Sequence, residues 1–155
     1  MIKKVMELYG PVNSFIAHSF GGMALSLALE EMVQEEKIKI VFIAPATETS
    51  TAIDTASALI GLNDETVRNE IDKLIFRISG KETVWFSMKR AMYNIKAKIL
   101  WIHDEEDDTT PFSDALKVKE DNHSNIEFMI TKGLGHRRIY HDANVKKRVV
   151  DFLQL

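Results

Sequence analysis

The stretch Asn13-Ser14-Phe15-Ile16-Ala17-His18-Ser19-Phe20-Gly21-Gly22 decides the fold that this sequence predicts. It reads as a short apolar strand, a tight turn with Ser19 at its tip, and the first residues of a helix. Small residues, Ala17 and Gly21, lie two positions before and two positions after the serine. They are needed because the strand and helix backbones pass close together at such a turn, whose backbone is strained. We therefore expect the Ser19 hydroxyl to project from the end of a strand.

The rest of the chain alternates apolar strands with helices. Strands are predicted at 12–17, 38–44, 98–103 and 125–131, and the continuous apolar character of 12–17 indicates burial on both faces. Helices are predicted at 2–9, 20–34 and 111–120, with a last helix that starts at Asp142 or Asn144. This alternation favours parallel pairing through right-handed crossovers. The predicted fold class is α/β, a three-layer αβα domain spanning 1–155 with a mostly parallel sheet of about four strands.

Residues 46–95 carry helical periodicity throughout, and no strand pattern interrupts it. We interpret this segment as a helical insert beside the sheet, in the position of a cap. Its methionine and aromatic side chains are expected to belong to the core.

Composition narrows the class of function. The chain has 155 residues, a formal net charge of -3 and no basic stripe, so nucleic acid is not an expected partner. The absence of cysteine excludes a thiol nucleophile and a cysteine zinc site. No apolar run approaches the roughly 20 residues that span a bilayer, and charged residues interrupt the first eight positions. We expect a cytoplasmic protein with no membrane partner.

Three chemically suited residues each follow a predicted strand: Ser19, Asp107 and His136. The C-terminal ends of parallel strands meet at one edge of a sheet, where ligands bind. Acyl transfer needs a nucleophile, a base that takes its proton and a carboxylate that orients the base. The order Ser…Asp…His along the chain supplies all three groups.

Three motifs of this chain resemble those of α/β-hydrolase-fold serine hydrolases, and together they match the C-terminal half of that fold. They are the serine turn Ala17-His18-Ser19-Phe20-Gly21-Gly22, the acid loop that runs from Ile99 to Pro111, and Gly133-Leu134-Gly135-His136. The resemblance implies a serine hydrolase that cleaves a carboxylic ester or related acyl substrate without a cofactor or metal. It implies that Ser19 is the nucleophile, His136 the base and Asp107 the orienting acid. The Phe20 amide would then form half of the oxyanion hole.

The acid loop departs from the family pattern. Asp104 stands where a glycine is usual and is expected to place an extra carboxylate near the site. Asp108 competes with Asp107 for the acid role, and we favour Asp107 because its spacing from His103 and Pro111 fits the motif. The five consecutive acids at 104–108 also leave open a divalent-cation site through oxygen ligands. His18 and His103 are expected to pack beside the site.

The resemblance covers only the last four strands of a sheet that has about eight in the full fold. A second oxyanion amide comes from a loop after an early strand, and losing one donor costs on the order of 10²–10³ in rate. We therefore keep a second hypothesis, a non-catalytic or partner-dependent fragment of the same fold.

The truncated match has a further consequence for the first strand. It leaves the strand at 12–17, from Val12 to Ala17, with an open apolar edge, and open apolar edges bind other chains. We expect either a homodimer through this edge or covering by the N-terminal helix.

Overall fold

The structure is a computed structural model, and it describes residues 2–32 and 37–154. Four strands form one parallel sheet, and their order in space follows their order in the chain. The strands are β1 (Ser14–His18), β2 (Lys39–Ile43), β3 (Lys98–Asp104) and β4 (Ile126–Thr131). The predicted α/β class and the four-stranded parallel sheet are confirmed.

Eight α-helices are present in the described residues: α1 (Ile2–Tyr9), α2 (Phe20–Leu29), α3 (Thr49–Leu59), α4 (Glu65–Ser79), α5 (Met88–Met92), α6 (Phe112–Glu120), α7 (Gly135–Arg138) and α8 (Ala143–Gln154). The helix predicted at 20–34 was too long, because α2 ends at Leu29. Residues 33–36 lie outside the described residues. Helix α7 was not predicted. Asp142 caps α8, since its Oδ1 accepts from the amides of Asn144 and Val145 at 2.9 and 3.0 Å.

The two inner strands explain the three-layer arrangement. Successive side chains of β2 and β3 point to opposite faces, and both sets are buried. One face of the sheet, led by Phe42 and Trp101, packs against α2, α5 and α6. The other face, with Val41 and Leu100, packs against Ile139 and α8. Helices on both faces of a parallel sheet bury the strands completely, as the near-continuous apolar sequence of β2 requires.

The first strand was expected to be buried on both faces, and this prediction was wrong. β1 is an edge strand whose Phe15 and Ala17 pack on the main core, whereas Ile16 on the opposite face is 57% exposed. Helix α1 also packs on that core, through Ile2 and Met6. An apolar sequence pattern reports side-chain chemistry but does not reveal whether a neighbouring strand exists.

The insert between β2 and β3 is helical, as predicted, but its parts differ in burial. Helix α5 contributes Met88 and Met92 to the core, whereas no residue within Thr49–Leu59 or Glu65–Ser79 is buried. Arg68 of α4 joins the two exposed helices through an ion pair with Asp54. The assignment of 1–155 to one domain with a cap-like insert stays a prediction.

In residues 2–32 and 37–154, no helix has both the length and the apolar character needed to cross a bilayer.

Two adjacent glycines of α2 differ in the space around them. A Cβ on Gly22 would lie 2.6 Å from the Pro45 Cβ and 3.4 Å from Phe42, whereas a Cβ on Gly21 meets only the Ala17 Cβ at 4.0 Å. Helix α2 therefore approaches the end of β2 most closely at Gly22, while Gly21 and Ala17 face each other with room for one methyl group.

We predict opposite effects for alanine at these two positions. Gly22→Ala should lower the free energy of unfolding by about 1–3 kcal/mol, because the rigid Pro45 ring cannot yield without a backbone shift. Gly21→Ala, the matched control, should raise it by up to about 1 kcal/mol, the helix propensity gained. Urea unfolding followed by circular dichroism measures both. Equal effects from the two variants would contradict the packing difference.

Candidate active site

Ser19 lies on a strained turn between β1 and α2. Its φ is 55° and its ψ is -131°, a positive-φ backbone that costs a non-glycine residue about 1–3 kcal/mol. Hydrogen bonds to the adjacent segment hold it there: the Ser19 amide donates to Ile43 at 3.2 Å, and its carbonyl accepts from Gly22 and Ala46 at 3.0 Å. The turn is thus fixed to the end of β2, and it presents the hydroxyl at the C-terminal edge of the sheet.

His136 lies beside this hydroxyl. Its Nε2 is 3.0 Å from the Ser19 Oγ, although 117 residues separate the two in sequence. The loop from β4 turns through Gly133 and Gly135, whose φ angles of 80° and 58° favour glycine, and His136 follows in the short helix α7. The imidazole is buried, so its orientation is fixed by the surrounding chain.

Asp107 is the carboxylate that reaches the imidazole. Its Oδ2 lies 2.9 Å from the His136 Nδ1, and its Oδ1 accepts from the amides of Thr109 and Thr110 at 2.9 and 2.8 Å. Asp108 is exposed, and its Oδ1 accepts from the Thr109 hydroxyl at 3.2 Å. The structure therefore brings Ser19, His136 and Asp107 together and leaves Asp108 outside the group.

Sequence reasoning missed Thr110. Its buried Oγ1 lies 2.9 Å from Asp107 Oδ2, 3.1 Å from His136 Nδ1 and 3.2 Å from the Ala44 carbonyl. The hydroxyl thus links the acid, the imidazole and the end of β2. The only sequence signal was its spacing, three residues after Asp107, at which a side chain and amide fold back onto an aspartate.

Asp104 has a different role from the one expected. Its carboxylate is fully buried and accepts from the Thr131 hydroxyl at 2.7 Å and from the amides of Leu134 and Glu106 at 3.0 Å. Burial opposes ionisation, but these hydrogen bonds outweigh it and hold the pKa of Asp104 below its ordinary value. This carboxylate ties the acid loop to the histidine loop, and it does not contact Ser19 or His136 through any hydrogen bond observed in the described chain.

Two further histidines border the site. The His103 Nε2 donates to the Thr110 carbonyl at 2.8 Å, and burial lowers the pKa of His103. The His18 Nε2 donates to the His136 carbonyl at 3.3 Å, and its ring centroid lies 4.7 Å from that of His136. Burial likewise lowers the pKa of His18. Both side chains support the loops around the site, as the sequence suggested.

Phe20 opens α2 directly after the serine. An amide in the first turn of a helix has no intrahelical acceptor, so it is available to a ligand. The Phe20 side chain is 63% exposed. The predicted position of this amide beside Ser19 follows from the observed strand–turn–helix geometry.

A cavity of about 470 Å³ lies next to His136. Leu134 of the histidine loop and Leu59 of α3 contribute apolar surface, and Arg137 contributes a cation. The insert therefore reaches the neighbourhood of the site through Leu59.

The buried carboxylate oxygens of the acid run 104–108 accept hydrogen bonds from the chain. Both oxygens of Asp104 and both of Asp107 accept hydrogen bonds from protein groups. No group of three or more His, Asp or Glu side chains suited to a metal occurs within residues 2–32 and 37–154.

The lowered pKa of His103 predicts a pH-dependent stability. Its pKa lies below the ordinary 6.5 in the folded chain, so the unfolded chain binds this proton first. His103 therefore contributes favourably to the free energy of unfolding above pH 6.5. This contribution is lost as the pH falls below 6.5, and the free energy of unfolding then decreases by no more than about 1.4 kcal/mol per pH unit. His103→Gln should be less stable at pH 7.5 but should decline less between pH 6.5 and 5.5. Urea unfolding at each pH measures this, and an unchanged decline would contradict the prediction.

Solved structures share this fold at low sequence identity. The esterase Pf2001 of Pyrococcus furiosus aligns with 99% of this chain and 58% of its own, with a TM-score of 0.68 and 18% identity. The monoacylglycerol lipase of Paleococcus ferrophilus aligns with 99% of this chain and 72% of its own (TM-score 0.62, 20% identity). The alpha/beta hydrolase GrgF of a Penicillium species aligns with 99% of this chain and 68% of its own (TM-score 0.62, 16% identity).

No family model matches this sequence, and no curated protein matches it. This chain spans 58% of the length of the Pyrococcus furiosus esterase. Because the alignment covers 99% of this chain, it includes all four strands. The chain has the α/β-hydrolase fold, reduced in the described residues to four parallel strands between two helical layers.

Proposed function

We propose that this chain is a serine hydrolase that cleaves a carboxylic ester or related small acyl substrate. The observation that carries the proposal is the unbroken hydrogen-bonded series from Ser19 Oγ to His136 Nε2 at 3.0 Å and from His136 Nδ1 to Asp107 Oδ2 at 2.9 Å. The base is within hydrogen-bond distance of both the nucleophile and the orienting acid, as nucleophilic catalysis requires.

The reaction follows from this arrangement. Ser19 Oγ attacks the acyl carbonyl while His136 Nε2 takes its proton, and the oxyanion that forms accepts from the Phe20 amide. The tetrahedral intermediate collapses as the leaving alcohol takes the proton from His136. Water then attacks the acyl-enzyme by the same route and releases the acid. Asp107 keeps the Nδ1–H of His136 in place and balances the imidazolium charge throughout.

The other groups position the reacting ones. Thr110 fixes the rotamer of Asp107 and offers a second acceptor to the His136 Nδ1–H. The cavity beside His136, with Leu59 and Leu134 on its wall, suits an apolar acyl or alkyl group. We also propose that the insert at 46–95 acts as a cap over this cavity, and that the reaction takes place in the cytoplasm.

A second candidate, a non-catalytic or partner-dependent fragment of this fold, is favoured by one observation. β1 is the edge of the sheet, so no described strand stands on its outer side to carry a second oxyanion donor. With one donor, turnover is expected to be slower by on the order of 10²–10³. Labelling by a fluorophosphonate, which needs only an activated serine, separates a slow enzyme from an inert fragment.

We predict that Ser19→Ala abolishes hydrolysis of a short p-nitrophenyl ester and labelling by a fluorophosphonate, because Ser19 carries the only hydroxyl hydrogen-bonded to His136 Nε2 in the described residues. Ser124→Ala, at the opposite end of the sheet, is the control and should behave as the unchanged chain. Labelled protein detected on a gel and initial rates measure both effects. Ser19→Ala protein that still takes up label would refute the assignment.

We predict different effects for two neighbouring acids. Asp107→Asn should reduce kcat by about 10³–10⁴, because the amide cannot hold the Nδ1–H tautomer of His136. Asp108→Asn, which is isosteric and one residue away, should change kcat by less than about tenfold, since its carboxylate does not reach the imidazole. Rates at saturating ester decide the question, and a larger loss in Asp108→Asn would reassign the acid.

A further inference from the structure

The outer edge of β1 borders an apolar groove. The groove has a volume of about 530 Å³ and is lined mainly by α1, β1 and α2, including Val5, Met6, Phe15 and Leu25. Exposed apolar side chains continue around it: Val5 is 47% exposed, Leu8 62% and Ile16 57%. An apolar patch of this kind marks a binding surface when it is continuous.

The edge itself carries none of the features that block strand pairing. Residues 12–18 contain no lysine, acidic residue or proline. The Asn13 carbonyl accepts from Lys39 and the Ser19 amide donates to Ile43, so the odd-numbered residues of this strand bond to β2. Backbone groups alternate in direction along a strand, and those of Ser14, Ile16 and His18 therefore face outward.

These three residues define one best register for a second copy. In an antiparallel pair, the outward-facing N–H and C=O groups of one strand bond to those of the other. All three outward-facing residues of each copy find partners only when Ile16 lies opposite Ile16 of the second copy, and Ser14 opposite His18. That register has a two-fold axis through Ile16 and is self-complementary, as an isologous interface requires. The axis is perpendicular to the sheet, so the exposed apolar side chains of α1 from both copies lie on the same face.

We infer that two copies of this chain pair antiparallel along β1 and form a continuous eight-stranded sheet. The same register sets Asn13 of the partner subunit next to the Ser19 turn, because Ser19 directly follows His18, the last residue of β1. Asn13 is exposed in the single chain. Its carboxamide N–H then supplies the second oxyanion donor, from the side of Ser19 where the described part of the single chain has no strand. This second step rests on the proposed function.

The dimer is tested without any measurement of activity. Light scattering of the unchanged chain should give twice the 17.7 kDa chain mass. Ile16→Lys places two like charges directly opposite each other and should give the monomer mass at the same concentration. Ile78→Lys changes an equally apolar side chain, 77% exposed on α4, and should remain a dimer. Circular dichroism checks that each variant is folded. A monomeric unchanged chain, or dimeric Ile16→Lys, overturns the inference.

The donor is tested by mixing two inactive variants. Asn13→Ala should form the dimer but lose about 10²–10³ in kcat, whereas the exposed Asn69→Ala on α4 should keep the rate. After unfolding and refolding together, Asn13→Ala and Ser19→Ala chains should recover about a quarter of the unchanged activity. Half of the dimers then contain one chain of each variant. In each of these, only the site that combines the Ser19 of one chain with the Asn13 of the other is complete, so one quarter of all sites are complete.

The outcomes separate the two proposals. Full activity of Asn13→Ala, or no recovery on mixing, overturns the donor assignment while leaving the Ser19 nucleophile intact. Failure of the unchanged chain to react with a fluorophosphonate overturns the proposed function, and the measured mass still decides the dimer.

Discussion

One buried carboxylate holds two loops of the candidate site, the acid loop and the histidine loop, in fixed positions relative to each other. Asp104 accepts hydrogen bonds from Glu106 in the acid loop and from Thr131 and Leu134 around the histidine loop, and it is fully buried. An unpaired charge in that position would cost several kcal/mol, so each loop needs the other to satisfy it. The position of His136 relative to Asp107 therefore depends on a residue that takes no direct part in the proposed chemistry. The lowered pKa of Asp104 has the same origin, because its donors bind only the ionised form well.

The third loop is fixed in a different way. The Ser19 turn is held by backbone hydrogen bonds to the end of β2 and not by a charged side chain. The Ala44 carbonyl, which follows β2, also accepts a hydrogen bond from the Thr110 hydroxyl. The chain around Ala44 thus contacts both the nucleophile turn and the acid loop. Close packing of Gly22 against Pro45 adds a steric constraint from the helix side. The strained φ of Ser19 persists because these contacts determine the turn from several directions at once.

The sequence predicted the parts of this protein that depend on local pattern. Strand–turn–helix order and glycine spacing pointed to Ser19 and His136, the acid-loop spacing of the resembled family pointed to Asp107, and parallel topology predicted that all three lie at one edge of the sheet. Features that depend on contacts distant in sequence were missed. The hydrogen bonds from Thr131 and Leu134 to Asp104 join residues 27 and 30 positions apart, and the contacts of Thr110 require the end of β2 to lie beside the acid loop. Burial of β1 was overestimated because an apolar sequence does not show whether a strand has one neighbour or two: Phe15 and Ala17 pack on the core, whereas Ile16 is exposed.

That free edge connects the stability of the fold with its chemistry. A parallel sheet normally buries its apolar strands between neighbours, and within residues 2–32 and 37–154 β1 has a neighbour on one side only. A strand on the free side of β1 would cover Ile16 and lie next to the proposed oxyanion position, because Ser19 follows β1 directly. Any strand that covers this edge must place some part of its chain beside the serine. If the chain is the proposed hydrolase, the exposed apolar surface and the single oxyanion donor both follow from the free edge of β1, and the proposed second copy would act on both.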